Sequence, residues 1–231
     1  MPARRAGEKA AAPRAWMRDN GLTVALLALF TLSQVGHVWA GWLSENHVLA
    51  EHGQAAQSVF AYVISGAFLS SLFENWESEF LQMWVFVMLT AYLFQRGSPE
   101  SKDPDATADQ DRDPALDRRK RGAPWPVRNG GLAARLYSHS LGWALLALFI
   151  FSFVLHWINS TRDAAAEALL HGQIPPGMKA QIADPTFWFE SFQNWQSEFL
   201  STAVLILLAI WLREKGSPES KAVGDSHSKT G

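Results

Sequence analysis

Four apolar stretches, separated by polar and charged segments, set the organisation of this chain. The first, residues 22–42, contains 21 residues without Asp, Glu, Lys or Arg. A helix of about 20 apolar residues crosses the hydrocarbon core of a bilayer. Residues 141–158 repeat that pattern in the second half of the chain. The other two stretches follow a polar, aromatic segment. The second helix is expected to start near Ser65, and its counterpart in the second half at Asp184, a capping residue followed by Pro185. Running to Gln95, the second helix would extend about 46 Å at ~1.5 Å per residue. That is longer than the ~30 Å core, so its first turns, with Glu74, Asn75 and Glu77, are expected at headgroup level, with residues 80–94 inside.

The pattern occurs twice because the sequence does. Residues 68–102 and 187–221 align 119 positions apart without a gap, with 17 of 35 pairs identical. Both copies end in Gly-Ser-Pro-Glu-Ser-Lys, where Gly97 and Pro99 are expected to terminate the helix. The equivalence extends to Ser33 and His37, which recur as Ser152 and His156, and to His52-Gly53-Gln54, which recurs at 171–173. A cleaved leader is an alternative reading of residues 22–42, since Val38-Trp39-Ala40 resembles a processing site. A copy of the same stretch in mid-chain argues against it.

The expected fold class is therefore all-α: a polytopic membrane bundle of four transmembrane helices from two tandem helical hairpins. The expected organisation is an N-terminal cytoplasmic tail (1–20) whose helix starts at Asp19 or Asn20, a first membrane repeat (21–102), a flexible charged linker (103–134), a second repeat (135–221) and a disordered tail (222–231).

Charge fixes the expected orientation. Of 20 Lys and Arg, 18 fall in the termini and the central linker, and only Arg162 and Lys179 in the inter-helix loops. Positive charge accumulates on the cytoplasmic side, so both termini and the linker are expected there. Of 11 Trp residues, nine, all but Trp16 and Trp125, lie within or at the ends of the apolar stretches, where interfacial anchoring requires no further explanation. There is no cysteine, which excludes disulfides and thiolate metal sites. The basic run 118–121 is read as a topology-setting loop with possible anionic-lipid contact.

The strings Asn-Trp-x-Ser-Glu-Phe-Leu (75–81 and 194–200) and Gly-Ser-Pro-Glu-Ser-Lys (97–102 and 216–221) resemble a family of small bacterial membrane proteins known only as a domain of unknown function. The resemblance implies residence in the bacterial inner (plasma) membrane. It implies no activity, cofactor or catalytic residue.

The candidate chemistry lies in polar residues at helical spacing. Ser33 and His37, like Ser152 and His156, share a helix face. Asn75, Ser78, Glu79 and Gln82 form a stripe that recurs as Asn194, Ser197, Glu198 and Ser201. His37 and Glu79 each lie about 22 Å from the cytoplasmic ends of their helices. The expected pairs are therefore His37 with Glu79 and His156 with Glu198, near the outer interface. Three roles are open: the pairs tie each hairpin together, they line an ion or proton pathway, or His37 and His156 bind haem or a divalent metal with the two Glu residues. His52 and His171 are read as parts of turns, with a surface metal site as the alternative. No phosphate loop, nucleophile elbow or zinc-protease motif is present. The sequence is thus read as non-enzymatic, without a required cofactor, nucleic-acid partner or soluble substrate. Its partners are the lipid bilayer and, in one reading, a second copy of the chain.

Overall fold

The computed structural model describes residues 4–231, with side chains from Ala15 onward. Every regular element among the described residues is helical. The chain divides into two compact units, residues 1–68 and 69–231.

In the first unit, helix α1 (Arg4–Glu51) is followed by the short helix α2 (Val59–Val63) and the start of α3 (Gly66–Tyr92). Helix α1 runs straight through Asp19 and Asn20, so neither residue caps a helix start. Asn20 instead donates its side-chain amide to the Trp16 carbonyl one turn back. The end of α1 is a Schellman motif: Gln54 N–H donates to Leu49 O (2.8 Å) and Gly53 N–H to Ala50 O (3.0 Å), with Gly53 at φ +67°. The returning chain is held by Asn46, which exchanges hydrogen bonds with Gln57 in both directions, and by Trp42 Nε1 donating to Gln57 O. Tyr62 lies so close to Gly41 that a Cβ at residue 41 would clash with its hydroxyl.

The second unit contains most of α3, then α4 (Trp125–Asn129), α5 (Gly131–Ser138), α6 (Ser140–Leu170), α7 (Met178–Ala183) and α8 (Pro185–Trp211). Ser65 Oγ accepts from Phe68 N–H at the start of α3, and Asp184 Oδ1 from Thr186 N–H at the start of α8, as the sequence predicts. Helix α6 ends in the same Schellman geometry as α1, with Gly172 at φ +66°. Both His-Gly-Gln strings are therefore helix stops.

Helices α3 and α8 run parallel and in register. Gln82 Nε2 donates to Thr202 Oγ1 (2.6 Å), and Asn194 Nδ2 to Glu74 Oε1; both pairs are 120 positions apart, close to the repeat offset. The two helices end at Tyr92 and Trp211, earlier than the Gly residues predicted to stop them. Gly97 and Gly216 instead occupy the turns beyond, at φ +86° and +93°. Each Gly-Ser-Pro-Glu-Ser-Lys string folds alike. Ser98 N–H donates to Gln95 O, and Ser101 Oγ accepts from Gln95 N–H; Ser217, Ser220 and Glu214 repeat both bonds. The motif is a knot that closes the helix end.

The two lysines that finish the strings diverge. Lys102 Nζ caps Ala91 O and pairs with Asp111, whereas Lys221 Nζ donates to the carbonyls of Gly97, His227 and Lys229. Lys221 thereby ties the C-terminal residues to the first repeat, and Gly231 N–H adds a bond to Ser98 O. The linker is built of short turns and helices held by pairs such as Arg96–Asp105 and Arg112–Asp117.

Burial is inverted relative to a water-soluble bundle. The buried set is mainly polar, including Glu77, Ser78, Ser152, His156, Asn159 and Ser191, while large apolar side chains along α1, α6 and α8 face outward. Among the described residues, two helices, over Ala15–Glu51 and Ser140–Leu170, are long and apolar enough to cross a membrane. Helices α3 and α8 do not reach that standard, because their first halves carry the Glu, Asn and Gln residues that build the site described next.

Candidate functional site

The second unit encloses a polar centre assembled from three helices. Glu74 and Glu77 are three apart on α3, Ser152 and His156 four apart on α6, and Phe187 and Ser191 four apart on α8. Each set therefore shares one helix face. Glu77, Ser152, His156, Phe187 and Ser191 are all fully buried.

Glu77 is the hub. Its Oε2 lies 3.0 Å from Nδ1 of His156, and its Oε1 accepts from Ser191 Oγ at 2.9 Å. A carboxylate only accepts, so the His156 proton sits on Nδ1. Nε2, on the opposite side of the ring, has no hydrogen-bond partner, and neither does Ser152 Oγ one turn earlier. The ring of Phe187 stacks on the His156 imidazole, with centroids 4.7 Å apart and planes 25° apart. Phe153 and Trp188 extend the aromatic wall. Burying a carboxylate is costly unless its oxygens accept hydrogen bonds. Here Ser191 satisfies the second carboxylate oxygen, and the rings exclude water from the imidazole face.

Beside this hub, Glu74, Glu190 and His156 each place a ligand-type atom within 4.8 Å of the others. Both carboxylates are half-buried. Asn194 orients Glu74 through the hydrogen bond that links α8 to α3.

The expected pairing is corrected in its partner. His156 meets Glu77, a residue of the other repeat, and not Glu198 of its own. Glu198 is only half-buried, and Glu79 and Asn75 are exposed; the Asn75 amide bonds back to Ser71 O within its own helix. Asn194 does belong to the centre. His37 and Glu79 lie in different compact units, and within its own unit the His37 ring contacts Phe68 at 5.1 Å. His37–Phe68 and His156–Phe187 occupy equivalent repeat positions, so the feature common to both halves is a His against the first Phe of the repeated string. His52 and His171 are both exposed at the helix stops, with His52 Nδ1 2.9 Å from Val48 O.

Helical spacing alone does not single out Glu74, Glu77, Ser191 and Glu190. The signal that marks them is a difference between the copies. Glu74 and Glu77 correspond to Gln193 and Gln196, and Glu190 and Ser191 to Ser71 and Leu72. The repeat preserves the scaffold and places the acids of the centre once.

The model of a domain of unknown function, DUF6766, matches residues 13–231, and the chain belongs to that family. No curated protein and no solved structure matches it.

Proposed function

We propose that this member of DUF6766 is a non-enzymatic, multi-pass protein of the bacterial plasma membrane, in which the buried Glu77–His156–Ser191 centre locks three helices into one bundle. Four spans, formed by α1, α3, α6 and α8, place both termini and the linker in the cytoplasm and the His-Gly-Gln stops outside. The observation that carries the reading is the inverted burial: ionisable and hydroxyl side chains are enclosed while Leu, Phe, Val and Ile face outward. In a bilayer, polar side chains turn inward because lipid satisfies none of them, and interhelical hydrogen bonds replace the hydrophobic drive between helices. The positive charge in the termini and linker supports the orientation.

Reporter fusions after residues 55, 125 and 174 and at the C-terminus test the topology. Cytoplasmic signal from the linker and C-terminus with external signal from the two loops is expected, and a cytoplasmic signal at residue 55 would overturn it. A second reading, a small carrier or channel, is favoured by the two further carboxylates gathered at the same imidazole. Ion flux into liposomes, abolished by His156→Ala in folded protein, would establish it over the structural role.

A further inference from the structure

We propose that Glu74, Glu190 and Nε2 of His156 form a binding site for one divalent transition-metal ion of the zinc or manganese type. Three observations converge on this site. One ring nitrogen of His156 and one carboxylate oxygen from each of Glu74 and Glu190 lie within 4.8 Å of one another. His156 is fully buried, its Nδ1 is engaged by Glu77, and Nε2 is left without a hydrogen-bond partner. The third observation is the support around them: Glu77 fixes the imidazole tautomer, Ser191 fixes Glu77, and Asn194 fixes Glu74.

A histidine that donates one ring N–H to a carboxylate presents the other nitrogen's lone pair outward, which is the usual arrangement behind a metal-bound imidazole. Ligand atoms ~2.0–2.2 Å from a tetrahedral ion lie roughly 3.4 Å from each other. Rotation of the half-buried Glu190, with Glu74 turning about the oxygen that Asn194 holds, closes the remaining distance, while the fully buried His156 stays fixed. Charge also matches. Glu74 and Glu190, with Glu77 behind the imidazole, gather three carboxylates around one ring, and a dication offsets the repulsion they would otherwise exert on one another in a low-dielectric bundle. One nitrogen with two carboxylate oxygens suits zinc, manganese or ferrous iron, and the absence of cysteine disfavours softer ions. The counterparts of the acids in the other repeat are Gln193 and Ser71, so the repeat does not rebuild this site a second time. The site needs no particular number of membrane spans.

The test uses full-length protein in detergent, stripped with chelator and titrated with Zn²⁺ by calorimetry and with Co²⁺ by its visible absorption. One ion per chain is expected, with a Co²⁺ band of low-symmetry nitrogen–oxygen coordination. Glu190→Gln and Glu74→Gln should each weaken binding at least about tenfold, and Glu77→Gln, a positioning residue, by roughly 10–100-fold. Glu79→Gln should bind as the wild type does. Because His156→Ala also breaks the buried pair, the decisive variants are those at Glu74 and Glu190, with helicity checked by circular dichroism. Absence of saturable binding overturns the proposal, as does binding that a folded Glu74→Gln/Glu190→Gln double variant leaves unchanged. The latter result would place the ion elsewhere, for example at His47 and Glu51, which lie 3.2 Å apart on α1.

Discussion

His156 and Glu77 lie 3.0 Å apart with both side chains fully buried, although 79 positions separate them and they belong to different copies of the repeat. The pair therefore joins the two copies and does not close one hairpin. Together with Ser191 it fixes α3, α6 and α8 at one level of the bundle.

Removing one partner of a buried pair leaves the other unsatisfied, at a cost of about 3–5 kcal/mol. Glu77→Ala is expected to destabilise the protein by that order, measured as a shift in detergent unfolding. Glu79→Ala, at an exposed position of the same helix, should change stability by no more than about 0.5 kcal/mol. Equal effects from the two variants would remove Glu77 from its place as hub.

Gly97 and Gly216 occupy equivalent turns at nearly equal φ, but their surroundings differ. A Cβ at Gly97 would fall 2.6 Å from His227 O and 3.2 Å from Ile210 Cγ2, whereas nothing lies within 4 Å of one at Gly216. Gly216→Ala should cost only the left-handed backbone strain, about 1–2 kcal/mol. Gly97→Ala should cost more and should also loosen the C-terminal residues. Ending the chain before residue 222 would then relieve most of the difference, as read from thermal unfolding of the four variants.

Lys221 donates to carbonyls of Gly97, His227 and Lys229, while its repeat counterpart Lys102 pairs with Asp111. Lys221→Ala should therefore release residues 222–231 to limited proteolysis. Lys102→Ala should leave that cleavage unchanged and expose the linker instead. Protection of the tail in both variants would show that its backbone bonds suffice.

Glu100, in the first Gly-Ser-Pro-Glu-Ser-Lys turn, is raised from 4.5 to about 7, first by burial and then by its hydrogen bond and charge interaction with Glu219 of the second turn. Because the folded state holds this proton more tightly than the unfolded state, the contribution is complete below about 4.5 and is lost as pH rises through about 7. The thermal midpoint should fall across that window. Glu100→Gln, which keeps a donor toward Glu219, should flatten the decline. An unchanged pH profile in Glu100→Gln would assign the dependence to another group.

At the other helix ends, Asp184→Ala removes the acceptor for Thr186 N–H and should cost about 1 kcal/mol. Asp184→Asn should recover most of it, as seen in chemical unfolding. A loss that Asn fails to recover would point to the charge of Asp184, and not its capping oxygen, as the stabilising feature.

Local rules written in consecutive residues were legible in the sequence by itself. It determined the helical class, the caps at Ser65 and Asp184, and the duplicated plan, because capping oxygens and apolar runs act on backbone groups only a few residues away. It also marked Gly53 and Gly172 as turn residues, since a backbone at positive φ favours glycine wherever it occurs. Helices α3 and α8 end a few residues before the glycines that local rules pick out, and carbonyls near their ends are met by residues beyond the next turn, Lys102 on α3 and His227 on α8. Periodicity placed Glu79 on the same stripe as Asn75, but a stripe fixes only which residues share a face. Which face turns inward depends on the neighbouring helix, and only the tertiary structure decided that Glu77 turns toward His156 while Glu79 turns out. It likewise brought Glu74 and Glu190 together from two helices. Their meeting depends on the parallel, in-register packing of α3 against α8, a relation between distant segments that local spacing does not encode.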